Sequence, residues 1–229
     1  GKDNKEASYI SDEIMSSSMK IMIETILSMY ENLSLKAIEL IKEKKARLKA
    51  EKELKSLNVK LEKLSVTDQL TGLYNRRHFE EIFNKELQKC KRDKSYFNVI
   101  LFDIDHFKKL NDTYGHNIGN EALIEVSNCL KKNLKRGCDY IFRIGGEEFV
   151  IIVINEDLEN LINITKILQK EIQKSAILNE KSSVSKYLTI SAGLVSIIPS
   201  QKDNINTIMK LVDDKLYEAK EQGRNRFIY

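Results

Sequence analysis

Helix-breaking residues are missing from the start of the chain: residues 1–66 contain no proline, and no glycine after Gly1. Nothing there enforces a turn, so one uninterrupted helix is predicted. Long apolar runs are lacking too. The longest, Phe149–Ile154, is far too short to cross a bilayer, which takes about 20 apolar residues. No secretory leader is evident. A chain that begins at Gly1 is nonetheless expected to continue a longer protein, with a sensor or membrane segment upstream. Cysteine is scarce. Cys90, Cys129 and Cys138 are scattered and odd in number, which excludes a disulfide framework and a thiolate metal site and makes a reducing cytoplasm the expected compartment. His78, His106 and His116 lack metal-ligand spacing, no serine or cysteine sits in a nucleophile elbow, and no Gly-x-x-x-x-Gly-Lys-Ser/Thr phosphate loop occurs. Charge of one sign does not dominate either, the net charge being only +4. Much of the basic excess lies in Lys42–Lys55, mixed with Glu43, Glu51 and Glu53. Without interleaved aromatics it reads as a solvated helix face, so no nucleic-acid partner is expected.

What residues 1–66 do contain is a seven-residue repeat. With Met19 at position a, the a series is Met19, Ile26, Leu33, Leu40, Arg47, Leu54 and Leu61, and the d series Met22, Met29, Lys36, Glu43, Ala50, Leu57 and Leu64. A seam apolar except at Lys36, Glu43 and Arg47 predicts a parallel or antiparallel coiled coil, because a lone helix would leave that stripe in water. The three polar seam residues read as a locally loose coil or as the place where pairing changes during signalling. A homodimer through this helix is therefore expected.

After Thr67 the repeat stops, with Gly72 as a turn point. Helices are predicted over about 76–92, 119–135, 156–178 and 203–222. Strands are predicted over 97–104, 140–144, 147–154 and 187–198, the last broken near Gly193. Gly145-Gly146 between two strand-like runs is a hairpin signal. The alternation implies helices layered on a mixed sheet, an α/β (α+β) domain over 67–229 behind a helical segment 1–66.

Two acidic sites stand out: Asp103-Ile104-Asp105 at the end of a strand, and Glu147-Glu148 beyond the hairpin turn. If the hairpin lies beside that strand, these carboxylates converge. Crowded, desolvated carboxylates call for a divalent cation, and oxygen-only ligands suit Mg²⁺ or Mn²⁺. Lys108, with Lys220 and Arg224 one helical turn apart, supplies cations for phosphate. Metal-binding acids plus such cations describe phosphoryl transfer.

Five stretches together resemble the GGDEF domain of diguanylate cyclases. They are Asp68–Arg77, Phe102–Lys108, Asn111–His116, the signature Gly145-Gly-Glu-Glu-Phe149 and Ala219–Arg226, spread in the family's order over 67–229. The resemblance implies a βαββαβ palm-like cyclase core with added elements. It implies condensation of two GTP into cyclic di-GMP with release of two pyrophosphates. Asp103, the Ile104 carbonyl and Glu147 would hold the metal, and Glu148 would face it. Glu147 or Glu148 would help deprotonate the attacking 3′-hydroxyl. Lys108, Lys220, Arg224 and amides near Phe107 would bind the triphosphate. Asn111 would contact the base, with His116 close by. Arg136-Gly-Cys-Asp139 resembles the family's inhibitory site, where cyclic di-GMP acts back on the enzyme through Arg136 and Asp139. A degenerate module acting as a nucleotide or cyclic-dinucleotide receptor is the alternative; it would be expected to lose signature acids that are all present here.

One position departs from the family. Where an aspartate usually accepts from guanine N1–H and the 2-amino group, this chain has Asn120. An amide has one acceptor and one donor, so it cannot match both guanine donors but can match adenine. GTP use with modest loss, and relaxed selectivity with ATP as a second substrate and cyclic GMP-AMP as product, are the two expectations.

Overall fold

The computed structural model describes residues 3–229, with side chains described for residues 17, 19–57, 61 and 66–229. The chain divides into two units, Gly1–Leu61 and Glu62–Tyr229. Helix α1 runs Asp3–Val66 without interruption, as the missing glycine and proline require. Its seam residues stand open in the single chain: Met22, Met29, Leu33 and Leu40 are each more than 60% exposed. Leu64 of the seam lies outside the described side chains. Exposed apolar residues also occur off the seam, at Ile21, Ile23, Leu27, Tyr30, Leu35, Ile38, Ile41 and Leu48, so the apolar face is broader than the heptad alone indicates. No described helix is long and apolar enough to cross a membrane.

The second unit holds a mixed sheet. Its strands are β1 (Tyr74–Asn75), β2 (Phe97–Ile104), β3 (Asp139–Gly145), β4 (Glu148–Ile154), β5 (Ile190–Ile197) and β6 (Phe227–Ile228), in spatial order β1-β3-β4-β2-β5-β6. The four long strands pair antiparallel, while the two-residue edges β1 and β6 pair parallel to β3 and β5. The helices are α2 (Arg76–Asp93), α3 (Phe107–Tyr114), α4 (His116–Asn133), α5 (Leu158–Lys174) and α6 (Ile205–Glu221). Read from β2 to β5, with α3 and α4 forming the first crossover, this is the expected βαββαβ core.

The sheet is buried on both faces, so β2 and β4 are near-continuous apolar runs. Side-chain alternation sorts them into two cores. Ile100, Phe102, Phe149 and Ile151 face α3, α4 and α5, while Val99, Leu101, Val150 and Ile152 face α2 and α6. Gly193 lies inside a continuous β5 rather than breaking it. A β-carbon there would sit 2.1 Å from the Val212 carbonyl oxygen, so its absence lets α6 lie close on the strand. That packing fixes where the C-terminal end of α6 emerges.

Several boundaries differ from expectation. The hairpin turn is Gly146-Glu147, not Gly145-Gly146, because Gly145 still pairs with Glu148 and the positive φ (42°) falls on Gly146. Glu147 therefore lies in the turn, outside β4. Helix α4 begins earlier than 119, after Gly115 separates it from α3. Residues 178–189, partly expected as helix and strand, form a turn closed by a Leu178–Tyr187 bridge.

Candidate active site

The end of β2, the start of β4, the hairpin turn and the last turn of α6 meet at one end of the sheet. Asp103 pairs across the ladder with Glu148. Two residues along from Leu101 and two before Val150, both side chains emerge on the α2–α6 face. Directly opposed residues have β-carbons about 4.5–5.5 Å apart, close enough for two carboxylates to repel. Lys220 answers from α6, with its ammonium 3.2 Å from Asp103 Oδ1. Burial pushes the Asp103 carboxyl up to about 6, against the pull of Lys220 and with added repulsion from Glu147 and Glu148. The turn acid and the strand acid thus both reach Asp103 electrostatically.

Among the described residues no three His, Cys, Asp or Glu side chains form a ready-made metal cluster. The donor set available is smaller: Asp103, Glu147 and Glu148, with the Ile104 carbonyl next in the chain. An excess of carboxylate charge over one ammonium, partly removed from water, fits a hard divalent cation held by oxygen.

Asp105 does not join this cluster. Its side chain is 1% exposed and is turned toward β5. Both its oxygens are taken, by the hydroxyls of Thr189 and Ser191 (2.7 Å each) and by the Asn225 amide (3.1 Å). The spacing of two does leave Asp103 and Asp105 on one face, but the Thr189 and Ser191 hydroxyls draw the Asp105 carboxylate away from the acid cluster.

Arg224 follows α6 in a left-handed conformation (φ 62°) and donates from Nη1 to the Lys220 carbonyl. It lies near His106, whose pKa is held below the usual value by burial, then by Lys109 and Arg224. His106 precedes α3 at φ 57° and offers no side-chain cap, so the first α3 amides, from Phe107 on, are uncapped by a side chain at the same end of the sheet. Lys108 is exposed on the first turn of α3. These cations and amide donors can take a polyphosphate.

Helices α3 and α4 pack together, and Asn111 abuts Gly119. A β-carbon at Gly119 would lie 1.9 Å from Asn111 Oδ1, and that oxygen is buried without a protein partner. Asn120 and His116 are exposed on α4, one turn apart and hence on one side of the helix.

At the far end of β3, Arg136 pairs with Glu156 and also donates to the Ile154 carbonyl (3.4 Å). The Asp139 amide donates to the Arg136 carbonyl (3.0 Å), so the two form one turn. Burial raises the Asp139 pKa, against the pull of Arg136, and its Oδ1 is buried without a partner.

Sequence reasoning passed over Arg143. It donates to Asp68 Oδ1 (3.0 Å) and from Nε to the Gly146 carbonyl (2.9 Å), bracing the hairpin turn that carries Glu147. Burial works to raise the Asp68 pKa, but hydrogen bonds from Thr71 and Arg143 hold it below the usual carboxylate value. The signal was present in Asp68–Arg77, yet no spacing rule links those residues to position 143.

The comparisons agree with this architecture. The chain is 35% identical over 167 residues to the probable diguanylate cyclase DgcC of Escherichia coli, which covers 73% of this chain and 44% of that protein. It is 36% identical over 165 residues to the response regulator PleD of Caulobacter vibrioides, covering 72% of this chain and 36% of the relative. The chain thus spans less than half the length of these curated relatives. Among solved structures, the coiled coil and GGDEF domain of DgcB from Caulobacter crescentus, in complex with c-di-GMP, superposes with a TM-score of 0.68 at 26% identity, covering 80% of this chain and 96% of that one. The diguanylate cyclase SiaD from Pseudomonas aeruginosa, solved with its activator SiaC, gives 0.65 at 25% identity over 98% of this chain and 83% of that one. Residues 65–226 match the model of the diguanylate cyclase GGDEF domain, and the chain belongs to that family.

Proposed function

We propose that this chain is a diguanylate cyclase, joining two GTP into cyclic di-GMP and releasing two pyrophosphates. The observation that carries the reading is the meeting of Asp103 and Glu148 in cross-strand register, with Glu147 in the adjoining turn and the Lys220 ammonium alongside.

Asp103, Glu147 and the Ile104 carbonyl would hold Mg²⁺ or Mn²⁺, with Glu148 at its edge. When bound, the ion supplies charge neutralisation at the α-phosphate. The chain's own groups do the rest. Lys220, Arg224, Lys108 and the first α3 amides bind the triphosphate and hold pyrophosphate as its charge develops. Asn111, with an unpartnered acceptor beside Gly119, receives a donor from the base. Glu147 or Glu148 takes the proton of the attacking 3′-hydroxyl.

One such site holds one triphosphate, so two domains must face each other, each 3′-hydroxyl attacking the other's α-phosphate. The exposed seam of α1 is the surface that brings two chains together. Tethering raises the effective concentration of the partner domain to roughly millimolar. An upstream sensor would act by changing how that helix presents the domains. Arg136 and Asp139 form the site where cyclic di-GMP acts back.

Asn120 relaxes base choice. A mismatched polar pair costs about 1–3 kcal/mol, or roughly tenfold to a hundredfold in guanine preference. ATP then enters as a second substrate, with cyclic GMP-AMP as the mixed product. The chain is incubated with magnesium and GTP, ATP or both, and products are resolved by mass. Mixed cyclic dinucleotide beside cyclic di-GMP supports relaxed choice, and cyclic di-GMP alone from the mixture overturns it. Nucleotide binding without any pyrophosphate would leave a receptor instead of an enzyme.

A further inference from the structure

We propose that Asp105 is a positioning residue for triphosphate binding. Its buried carboxylate clamps the loop bearing Arg224 onto the strand bearing Asp103. The inference rests on the reading of Lys220 and Arg224 as triphosphate ligands.

The loop needs such a clamp. Gly223, Arg224 and Asn225 have φ of 110°, 62° and 50°, three successive left-handed residues of which two carry side chains. Non-glycine residues keep this conformation only where surrounding structure over-determines it. The restraints here are few and specific. The Arg224 amide donates to the Ala219 carbonyl (3.0 Å), and the Gln169 amide nitrogen donates to the Asn225 side chain (3.2 Å). Beyond the loop, Ala192 of β5 donates to the Arg226 carbonyl (2.9 Å). Among the described residues, the bond that ties the loop directly to the segment following β2 is from the Asn225 amide to Asp105 Oδ2 (3.1 Å).

Asp105 is itself held rigidly. Thr189 Oγ1 donates to Oδ2 and Ser191 Oγ to Oδ1, and the Asp105 amide donates to the Thr189 carbonyl (2.9 Å). A fully buried carboxylate with three donors is a fixed point. It lies two residues beyond Asp103 on one side and one residue from Arg224, through Asn225, on the other. The distance between the acid end of the site and its phosphate-binding end is thereby set by a group that touches neither metal nor substrate.

Asparagine can replace it. Its oxygen at the Oδ2 position still accepts from Thr189 and Asn225, and the Ser191 hydroxyl turns to accept from the amide nitrogen. Alanine cannot.

The test measures binding of 3′-deoxy-GTP, which lacks the attacking hydroxyl, and of 3′-deoxy-GMP, which lacks the outer phosphates, to the full chain and to D105A, D105N and Arg224→Ala. KM and kcat for GTP are read from pyrophosphate release. Expected for D105A is at least a tenfold loss of 3′-deoxy-GTP affinity, a matching rise in KM, kcat within threefold, and 3′-deoxy-GMP affinity within twofold. D105N stays within threefold throughout. Should D105A not fold, Asp105→Ser carries the same expectation, its hydroxyl being too short to reach the Asn225 amide. Equal losses for both ligands, or no loss in D105A, would overturn the positioning role. If Arg224→Ala leaves 3′-deoxy-GTP binding unchanged, the triphosphate reading of the loop fails instead.

Discussion

Replacing Asp103 with asparagine should stabilise the metal-free protein while abolishing its activity. The Asp103 carboxyl is raised from 3.8 to about 6 by burial and by Glu147 and Glu148, even with Lys220 pulling the other way. A carboxyl raised in the folded state binds its proton more tightly there than in the unfolded chain. Its ionisation therefore costs stability, and the cost is absent at low pH and grows as pH rises from about 4 to about 6. A shift of that size is worth ~3 kcal/mol at pH 8 and roughly half that at pH 5. The asparagine keeps the shape and removes the charge. The opposing pull of Lys220 is already contained in that value. For a protein of this size each kcal/mol moves Tm by about 2–4 °C, so a gain of roughly 6–12 °C is expected at pH 8 in EDTA, about half of it at pH 5. Thermal unfolding of both proteins at one concentration measures this. Millimolar magnesium should then raise the wild-type Tm at pH 8 more than that of the variant. A Tm unchanged or lowered by D103N, or a gain identical at both pH values, would refute the electrostatic reasoning.

Other expectations follow from the same geometry. Glu156→Gln frees the Arg136 guanidinium from a half-exposed ion pair worth about 0–1 kcal/mol, so cyclic di-GMP should inhibit up to roughly fivefold more tightly; Arg136→Ala should relieve inhibition, both read as inhibition constants. Asn120→Asp supplies the second acceptor for guanine, and the GTP-over-ATP preference in competition should rise roughly tenfold to a hundredfold. Gly119→Ala forces a β-carbon onto Asn111, and kcat/KM for GTP should fall by about tenfold to a hundredfold with Tm little changed. A double Leu33→Lys and Leu40→Lys change puts charge into the α1 seam; sedimentation should show loss of the dimer, and specific activity should become steeply concentration-dependent.

Much of the core was legible because its signals are local. The apolar runs of β2 and β4 and the paired glycines of the hairpin are each readable within a few residues. Asp103, Glu148 and Lys220 could likewise be singled out before their meeting was visible. What escaped was set by tertiary partners. Asp103 and Asp105 look equivalent in sequence, and only Thr189, Ser191 and Asn225, more than eighty residues away, separate a site residue from a buried anchor. Glu148 shares a face with Asp103 through strand register, which a one-residue change in the turn would reverse. Strands β1 and β6 are two residues long and carry no period to detect. Arg143 braces the turn through Asp68, a contact that no spacing rule anticipates.

The assignment of Asp103 and Glu148, brought together across the ladder, to the condensation of two triphosphates has a direct consequence. It is tested most directly by counting products from GTP and magnesium for the wild-type chain, Asp103→Asn and Glu148→Gln. Two pyrophosphates per cyclic dinucleotide from the wild type, with turnover lost in D103N and strongly reduced in Glu148→Gln, is the predicted result. Undiminished turnover in the folded D103N variant would contradict it.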